Sequence, residues 1–380
     1  MKITGIICEY NPLHLGHKKQ LDTLRTLQPA GGIVCMMSGN YVQRGKPAIV
    51  DKALRAKAAV LSGADLVLEL PVTAALSSAE GFASAGVKLL SGFCDSLCFG
   101  SETADPALLM QTAGVLLSAD FSPALSVELA KGLSFPAARQ AALEHMGIRG
   151  DILRNPNDIL AIEYCKAILS QNASMIPQPI LRQGSYHDLE ADSENPSATA
   201  VRSLMLQSGA WLDYIPAEAR PCFENAAMHT LAAGERAILA RLRTMSDEDF
   251  EALPYGSEGL WRKLMHAARK EATLEDILTA VKSKRYTRTR LDRMVMCAFL
   301  GLTSADLSAP VPYARVLALN DRGREILKQA RKIGLFPNTG EQLDHPYQAI
   351  ENRAEALYSL FCTDCPGVPE LQHRVCYLPG

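Results

Sequence analysis

The first 120 residues alternate short, continuously apolar runs with longer amphipathic ones. Residues 3–8, 31–37, 65–71 and 95–99 are apolar and bounded by polar or glycine positions, which predicts strands. Stretches 18–27, 50–61, 78–90 and 107–117 carry apolar residues at helical spacing and predict helices, the second of them stopped by Ser62-Gly63. Strands without a polar face, each followed by a helix, predict a parallel sheet covered on both sides: an α/β, Rossmann-like domain. From 121 to 169 the pattern is mostly helical. Residues 175–181 predict one more strand through Ile176, Ile180 and Leu181, and Pro177 and Pro179 suit an edge position. Segment 188–197 is polar and reads as a loop. Beyond about 205 helical spacing dominates, at 235–245, 258–270, 274–282 and 290–300. The expected division is a catalytic domain over 1–205 and a mostly α-helical domain over 206–380, with no repeat or low-complexity tract.

Composition narrows this. A chain of 380 residues with 48% hydrophobic and 21% charged positions is long enough for two or three packed domains and is not disordered. It has no uncharged apolar run of about 18 residues, so no transmembrane helix is expected. The apolar run before Glu9 is too short for a signal peptide, which points to a cytoplasmic protein. The net charge of −2 excludes a general affinity for nucleic acid, so any RNA contact needs a local patch. Ten cysteines are scattered, and Cys8, Cys35 and Cys297 lie inside apolar runs, as buried reduced thiols do. The spacing of Cys94 and Cys98 suits no common metal knuckle. Cys362 and Cys365 have knuckle spacing, with His373 and Cys376 downstream, but lack a second pair, so no metal site is expected.

The junction after the first strand carries the chemistry. Glu9-Tyr10-Asn11-Pro12-Leu13 leads into His14-Leu15-Gly16-His17 at a helix start. Such a terminus presents N–H groups and a partial positive charge to phosphate, and two imidazoles there can donate to phosphate oxygens. Lys18 and Lys19 follow. This His-x-Gly-His spelling resembles that of nucleotidyltransferases and class I aminoacyl-tRNA synthetases, which break ATP between its α- and β-phosphates. Those proteins pair it with a Ser-x-Thr-x-x-Arg element at a second helix start. Ser197-Ala198-Thr199-Ala200-Val201-Arg202 resembles that element, although a Ser/Thr pair also caps helices for purely structural reasons. Segment 38–47, with Gln43, Arg44 and Lys46 between glycines, reads as a substrate-facing loop. Gly100, Asn157 and Arg182 follow predicted elements and are nucleotide candidates. Lys284, Arg285, Arg288 and Arg290 form a basic patch interleaved with Tyr286, Thr287 and Thr289, a pattern suited to a phosphate backbone.

Taken in order, these segments resemble the bacterial tRNA(Met) cytidine acetate ligase family. The resemblance runs through Glu9-Tyr10-Asn11-Pro12, residues 42–45, Leu68-Glu69-Leu70-Pro71, Phe99-Gly100-Ser101-Glu102, Pro156-Asn157, Tyr186-His187-Asp188, Ser197-Ala198-Thr199, residues 284–290 and 312–317. The tail after about 345 has no counterpart in it. The resemblance implies an ATP-dependent ligase. It activates acetate as acetyl-adenylate and transfers the acetyl group to N4 of the wobble cytidine, C34, of elongator tRNA(Met). It further implies ATP contacts by Ile7, Cys8, Glu9, Tyr10, Asn11, Pro12, Leu13, His14, Leu15, Gly16, His17, Lys18, Lys19, Gln20, Gly100, Asn157 and Arg182, with Ser197, Thr199 and Arg202 opposite. His14 and His17 serve adenylation, and Lys284, Arg285, Arg288 and Arg290 hold tRNA. Mg²⁺ is expected to accompany ATP. Two other functions would share the His motif: a nucleotidyltransferase making a small-molecule cofactor, and a non-catalytic RNA-binding protein.

Overall fold

A computed structural model describes residues 1–182, 196–207, 209–283 and 285–379. Its centre is a seven-stranded sheet in the order β7-β6-β1-β2-β5-β8-β9. The strands are β1 (Ile3–Cys8), β2 (Gly32–Ser38), β5 (Leu66–Leu70), β6 (Ser96–Ser101), β7 (Ile176–Leu181), β8 (Val316–Leu319) and β9 (Cys376–Tyr377). A separate small hairpin joins β3 (Tyr41–Val42) to β4 (Lys46–Pro47). Neighbours from β7 to β5 pair in parallel, β8 runs antiparallel to β5, and β9 is parallel to β8.

Alternate strand residues enter opposite apolar layers. Val34 and Met36 of β2 pack on one face, and Ile33, Cys35 and Met37 on the other. That is why these strands read as unbroken apolar runs rather than alternating ones. The edge expected for residues 175–181 is where β7 sits. Among the described residues it pairs only with β6, and its two prolines need not donate to a further strand there.

Two strands and a return of the chain were not expected. β8 and β9 lie far beyond residue 205 and complete the sheet next to β5. The division of the chain at 205/206 therefore does not coincide with the sheet, and the segment after 205 is not wholly helical. β8 is only four residues long and antiparallel, so no strand–helix alternation announces it. The helices Leu231–Thr244, Leu260–Lys270, Leu274–Val281 and Arg288–Leu300 do build a third apolar core, which includes Tyr41 and Leu76 from the N-terminal half. No single helix among the described residues is long and apolar enough to cross a membrane.

Chain order sets the site. From β1 the chain moves to β2 and β5 on one side, then returns to β6 and β7 on the other. The order reverses between β1 and β6, and a parallel sheet binds ligands outside the carboxyl ends of its strands at such a point.

A candidate nucleotide site at the carboxyl ends of β1 and β6

At that reversal lies a crevice of about 420 Å³, within the range of small-molecule sites. Helix α1 (Leu15–Leu27) begins on its floor. His14 is the N-cap: its Nδ1 accepts from the Gly16 N–H at 3.1 Å, and the His17 Nδ1 accepts from the His14 N–H at 3.3 Å. The two rings stack with centroids 3.8 Å apart. Because both Nδ1 atoms accept, the ring protons sit on Nε2, leaving two N–H donors for a ligand. Burial, with His17, Arg182 and Arg202 nearby, holds the His14 pKa well below its usual value. Burial and then Arg182 hold that of His17 at about 3. Both imidazoles are thus neutral near pH 7, and the positive charge comes from the arginines.

Gly16 is required by space. A Cβ there would stand 3.0 Å from Cε1 and 3.2 Å from Nδ1 of His14, displacing the ring it caps. Across the crevice, Ser197 caps helix Ala198–Leu206 by accepting from the Ala200 N–H at 3.0 Å. Arg202 donates to the Asn11 carbonyl at 2.6 Å and to Thr199 Oγ1 at 3.1 Å, which ties the second helix start to the turn after β1. On the β6 side, Arg182 donates to Asn157 Oδ1 at 3.0 Å, and Asn157 Nδ2 donates to Glu102 Oε1 at 2.6 Å.

Most of the expected nucleotide residues line one space. Ile7, Cys8, Glu9, Tyr10, Asn11, His14, Gly16, His17, Lys19, Gln20, Gly100, Asn157, Arg182, Ser197, Thr199 and Arg202 all face the crevice, as do Gln43 and Arg44 of the expected substrate loop. Pro12, Leu13, Leu15 and Lys18 do not line it. Leu13 is fully buried in the core, and Lys18 pairs with Asp22 and, at 3.6 Å, Glu218 on the outer side of α1. Among the described residues, the charged side chains lining the crevice are Glu9, Lys19, Arg44, Arg182 and Arg202. Phe82, Phe99, Leu160 and Tyr164 give one part of it an apolar wall.

Sequence reasoning passed over two supporting residues. Arg55 on helix α2 (Lys52–Leu61) is fully buried and donates to the carbonyls of Val50, Glu9, Ser38 and Gly39. It thereby clamps the chain after β1 to the chain after β2. Nothing in the spacing of α2 marks it. Glu102 accepts from the backbone N–H groups of Asn157 and Asp158, holding the start of helix Pro156–Ser170. Its place directly after β6 was the available signal.

The basic patch lies at a different part of the surface, and much of its charge is answered within the protein. Arg288 makes two 2.7 Å bonds to Glu275 and a 2.9 Å bond to Asp292. Arg285 pairs with Glu258 at 2.7 Å. Arg290 donates to the Tyr255 carbonyl and to Ser257 Oγ. Lys284, like Tyr186-His187-Asp188, lies outside the described residues. Patch and crevice are joined through the β3–β4 hairpin. Gly45, at φ +73°, packs so closely on the Asp292–Arg293 backbone that a Cβ would lie 2.3 Å from the Arg293 nitrogen, and Arg293 donates to the Gln43 carbonyl at 3.4 Å.

Comparison with known proteins agrees with this geometry. The family described as HIGH Nucleotidyl Transferase matches residues 1–367. A tRNA(Met) cytidine acetate ligase of Clostridium novyi is 38% identical over 356 residues, covering 89% of each chain. Two crystal structures of Thermotoga maritima TmcAL align over the whole of both chains. The apo form has 30% identity and a TM-score of 0.90, and the form bound with alpha-thio ATP has 29% and 0.87.

Proposed function

The chain belongs to the tRNA(Met) cytidine acetate ligase family of HIGH nucleotidyl transferases, and we propose that its crevice binds ATP and activates acetate for transfer to tRNA. The observation that carries this reading is the pairing of two neutral imidazoles, His14 buried and His17 half-buried, with Arg182 and Arg202 at the mouth of two helix N-termini. That arrangement suits a triphosphate. The arginines and helix ends answer its charge, and the two Nε2–H groups are placed to strengthen as charge builds on the α-phosphate.

The reaction has two steps. An acetate oxygen attacks the α-phosphorus, the bond to the bridging oxygen breaks, and pyrophosphate leaves. The product is a mixed anhydride, acetyl-adenylate. N4 of cytidine C34 in elongator tRNA(Met) then attacks the acetyl carbonyl, AMP leaves, and the amine loses a proton, giving N4-acetylcytidine. His14 and His17 serve the first step by hydrogen bonding, not as acids, since both are already neutral. Among the described lining residues Glu9 is the only carboxylate, and its Oε1 accepts from the Gln43 N–H at 2.8 Å. Mg²⁺ would enter with the phosphates of ATP. For the acceptor we assign Lys284, Arg285, Arg288 and Arg290 to the phosphate backbone, with the hairpin 41–47 between them and the crevice.

The test is mass spectrometry of elongator tRNA(Met) incubated with the protein, ATP and isotopically labelled acetate. The expected product is one labelled acetyl group on cytidine, with acetate-dependent exchange of pyrophosphate into ATP. Exchange that ignores acetate, or a nucleotidylated small molecule formed without RNA, would reject the proposal.

A further inference from the structure

Away from the crevice, His229, Cys362 and Cys365 meet although the first is more than 130 residues from the others in sequence. A ring nitrogen of His229 and the two sulfurs all lie within 4.8 Å of one another. Cys362 and Cys365 are disulfide-bonded as described. His229 is only 7% exposed, and its Nδ1 has no hydrogen-bond partner. A buried polar atom left unsatisfied is costly and calls for an explanation.

The ring is also held in place. It stacks on Tyr358 with centroids 3.9 Å apart and planes at 11°. The His229 N–H donates to the Ile49 carbonyl at 2.9 Å, the Thr230 N–H to the Phe361 carbonyl at 2.7 Å, and the Cys362 N–H to the Ser359 carbonyl at 3.1 Å.

We propose that His229, Cys362 and Cys365, with the cysteines as a dithiol, form a zinc site that fastens the C-terminal tail to the segment around residue 229. Two thiolates and one imidazole are a zinc donor set, and in tetrahedral geometry they stand roughly 3.5–4 Å apart; the three donor atoms already lie within 4.8 Å of one another, and the two sulfurs must part from their disulfide to reach that spacing. Solvent supplies the fourth ligand. Reaching this state from the disulfide takes two electrons and two protons: two thiols supply both as they form a disulfide, whereas a phosphine supplies the electrons, becoming its oxide with oxygen from water, and that water supplies the protons. On binding, each cysteine S–H then gives its proton to solvent, two Zn–S bonds form, and His229 Nδ1 contributes its lone pair. The disulfide, with neither sulfur ionisable, cannot hold the ion, so the two states exclude each other. The neighbouring trio Asp51, Glu355 and His373 is no rival, because the Lys52 ammonium already lies 2.6 Å from Glu355.

The test uses the full chain, reduced with a phosphine and titrated with Zn²⁺ against a chromophoric chelator. Cobalt substitution reports thiolate ligation by its charge-transfer absorption. The expected result is about one ion per reduced chain and none in the oxidised chain or in Cys362→Ser/Cys365→Ser. His229→Asn should weaken binding by at least about 100-fold, the upper end of what losing a mere outer-shell partner costs. Should the serine variant fold poorly, the wild-type chain still decides: bound Zn²⁺ must protect Cys362 and Cys365 from alkylation. Zinc retained by the serine variant, unchanged affinity in His229→Asn, or unprotected cysteines would each overturn the proposal.

Discussion

Around the crevice, the described lining includes Lys19, Arg44, Arg182, Arg202 and Glu9. Around Lys52, one ammonium faces three carboxyl groups. Its Nζ lies 2.9 Å from Glu69, 2.6 Å from Glu355 and 2.6 Å from Glu370. Further partners close that second group. Glu370 accepts from Thr339, Glu355 from Asn40, and Arg315 reaches Glu370 at 3.4 Å while binding Glu351 at 2.8 Å. Both regions bring charge together, but they differ in the space beside it. The crevice sets cations and two helix N-termini around an open volume that an anion can enter. The Lys52 group joins α2, β5 and the C-terminal tail and is packed shut. A cluster of charge marks a binding site when the space beside it is open. It marks a fold constraint when the opposite sign has been drawn in from distant parts of the chain.

If that contrast is right, one substitution in each region should act on a different quantity. The largest effect is expected from Lys52→Met. It leaves three carboxylates facing one another in a buried site, and removing one partner of a buried ion pair costs about 3–5 kcal/mol. The denaturant midpoint should fall by a corresponding amount, and adding Glu355→Gln and Glu370→Gln should recover part of the loss. A Lys52→Met protein as stable as wild type would mean that the group is solvated and not a constraint. His17→Ala should do the reverse. Losing a preorganised donor to a developing charge lowers a rate by about 10²–10³, read as acetate-dependent pyrophosphate exchange, while the unfolding midpoint changes little. A large loss of stability with unaltered exchange would place His17 in the fold and outside the chemistry.

What the sequence made legible divides along the same line. The crevice is built largely from short-range features. The turn after β1, the cap at Ser197 and Gly100 at the end of β6 each sit within a few residues of the element that positions them, so local spelling and periodicity found them. The Lys52 group is assembled from residues 52, 69, 355 and 370, with up to 318 positions between partners. No spacing connects these. Glu69 inside the apolar run Leu68-Glu69-Leu70 was the one visible sign, a carboxylate where a buried strand has no reason to carry one. β8 escaped for a related reason: four apolar residues between Arg315 and Asn320 acquire meaning only beside β5. Helix and strand types in the first half followed from period alone. The apolar wall of Phe82, Phe99 and Tyr164 did not, since core and ligand-facing aromatics are spelt alike.

A smaller effect tests whether the acceptor surface is separate from the crevice. Arg288 and Arg290 are tied into the helical part through Glu275, Asp292 and Tyr255, so their loss would mix folding with binding. Arg285 is 66% exposed at its side chain and is the cleaner probe. Arg285→Ala should weaken tRNA binding severalfold at low salt, irrespective of tRNA sequence, and reduce the slope of log affinity against log salt by about 1. Pyrophosphate exchange should stay as in wild type. An unchanged salt slope would remove Arg285 from the acceptor surface.

The smallest expected effect concerns a single proton in the Lys52 group. Burial, offset by Lys52 but reinforced by Glu370 and Glu355, raises the Glu69 pKa to about 8. Burial opposes ionisation of Glu370 too, yet Lys52 and Thr339 prevail and hold its pKa at about 2. The group therefore keeps one proton on Glu69 near neutrality. The folded pKa of Glu69 is above that of the unfolded chain, so its contribution to stability is fully present below about pH 4.5 and is lost as pH rises through about 8. Gln at this position keeps the shape and hydrogen bonding of the protonated acid but cannot ionise. Glu69→Gln should thus match wild type most closely at the acid end, near pH 5, and exceed its stability by a growing margin up to about pH 8. The crevice predicts the opposite slope on the acid side: His14 and His17, held neutral when folded, favour unfolding increasingly as pH falls below about 6.5. Denaturation curves for wild type and Glu69→Gln across pH 5–10 separate the two contributions, because the substitution should remove the fall in stability between about pH 5 and 8 and leave the acid-side effect of the histidines. Parallel curves over that whole range would show that Glu69 is ionised throughout, and the picture of a self-balanced, proton-sharing group around Lys52 would fail.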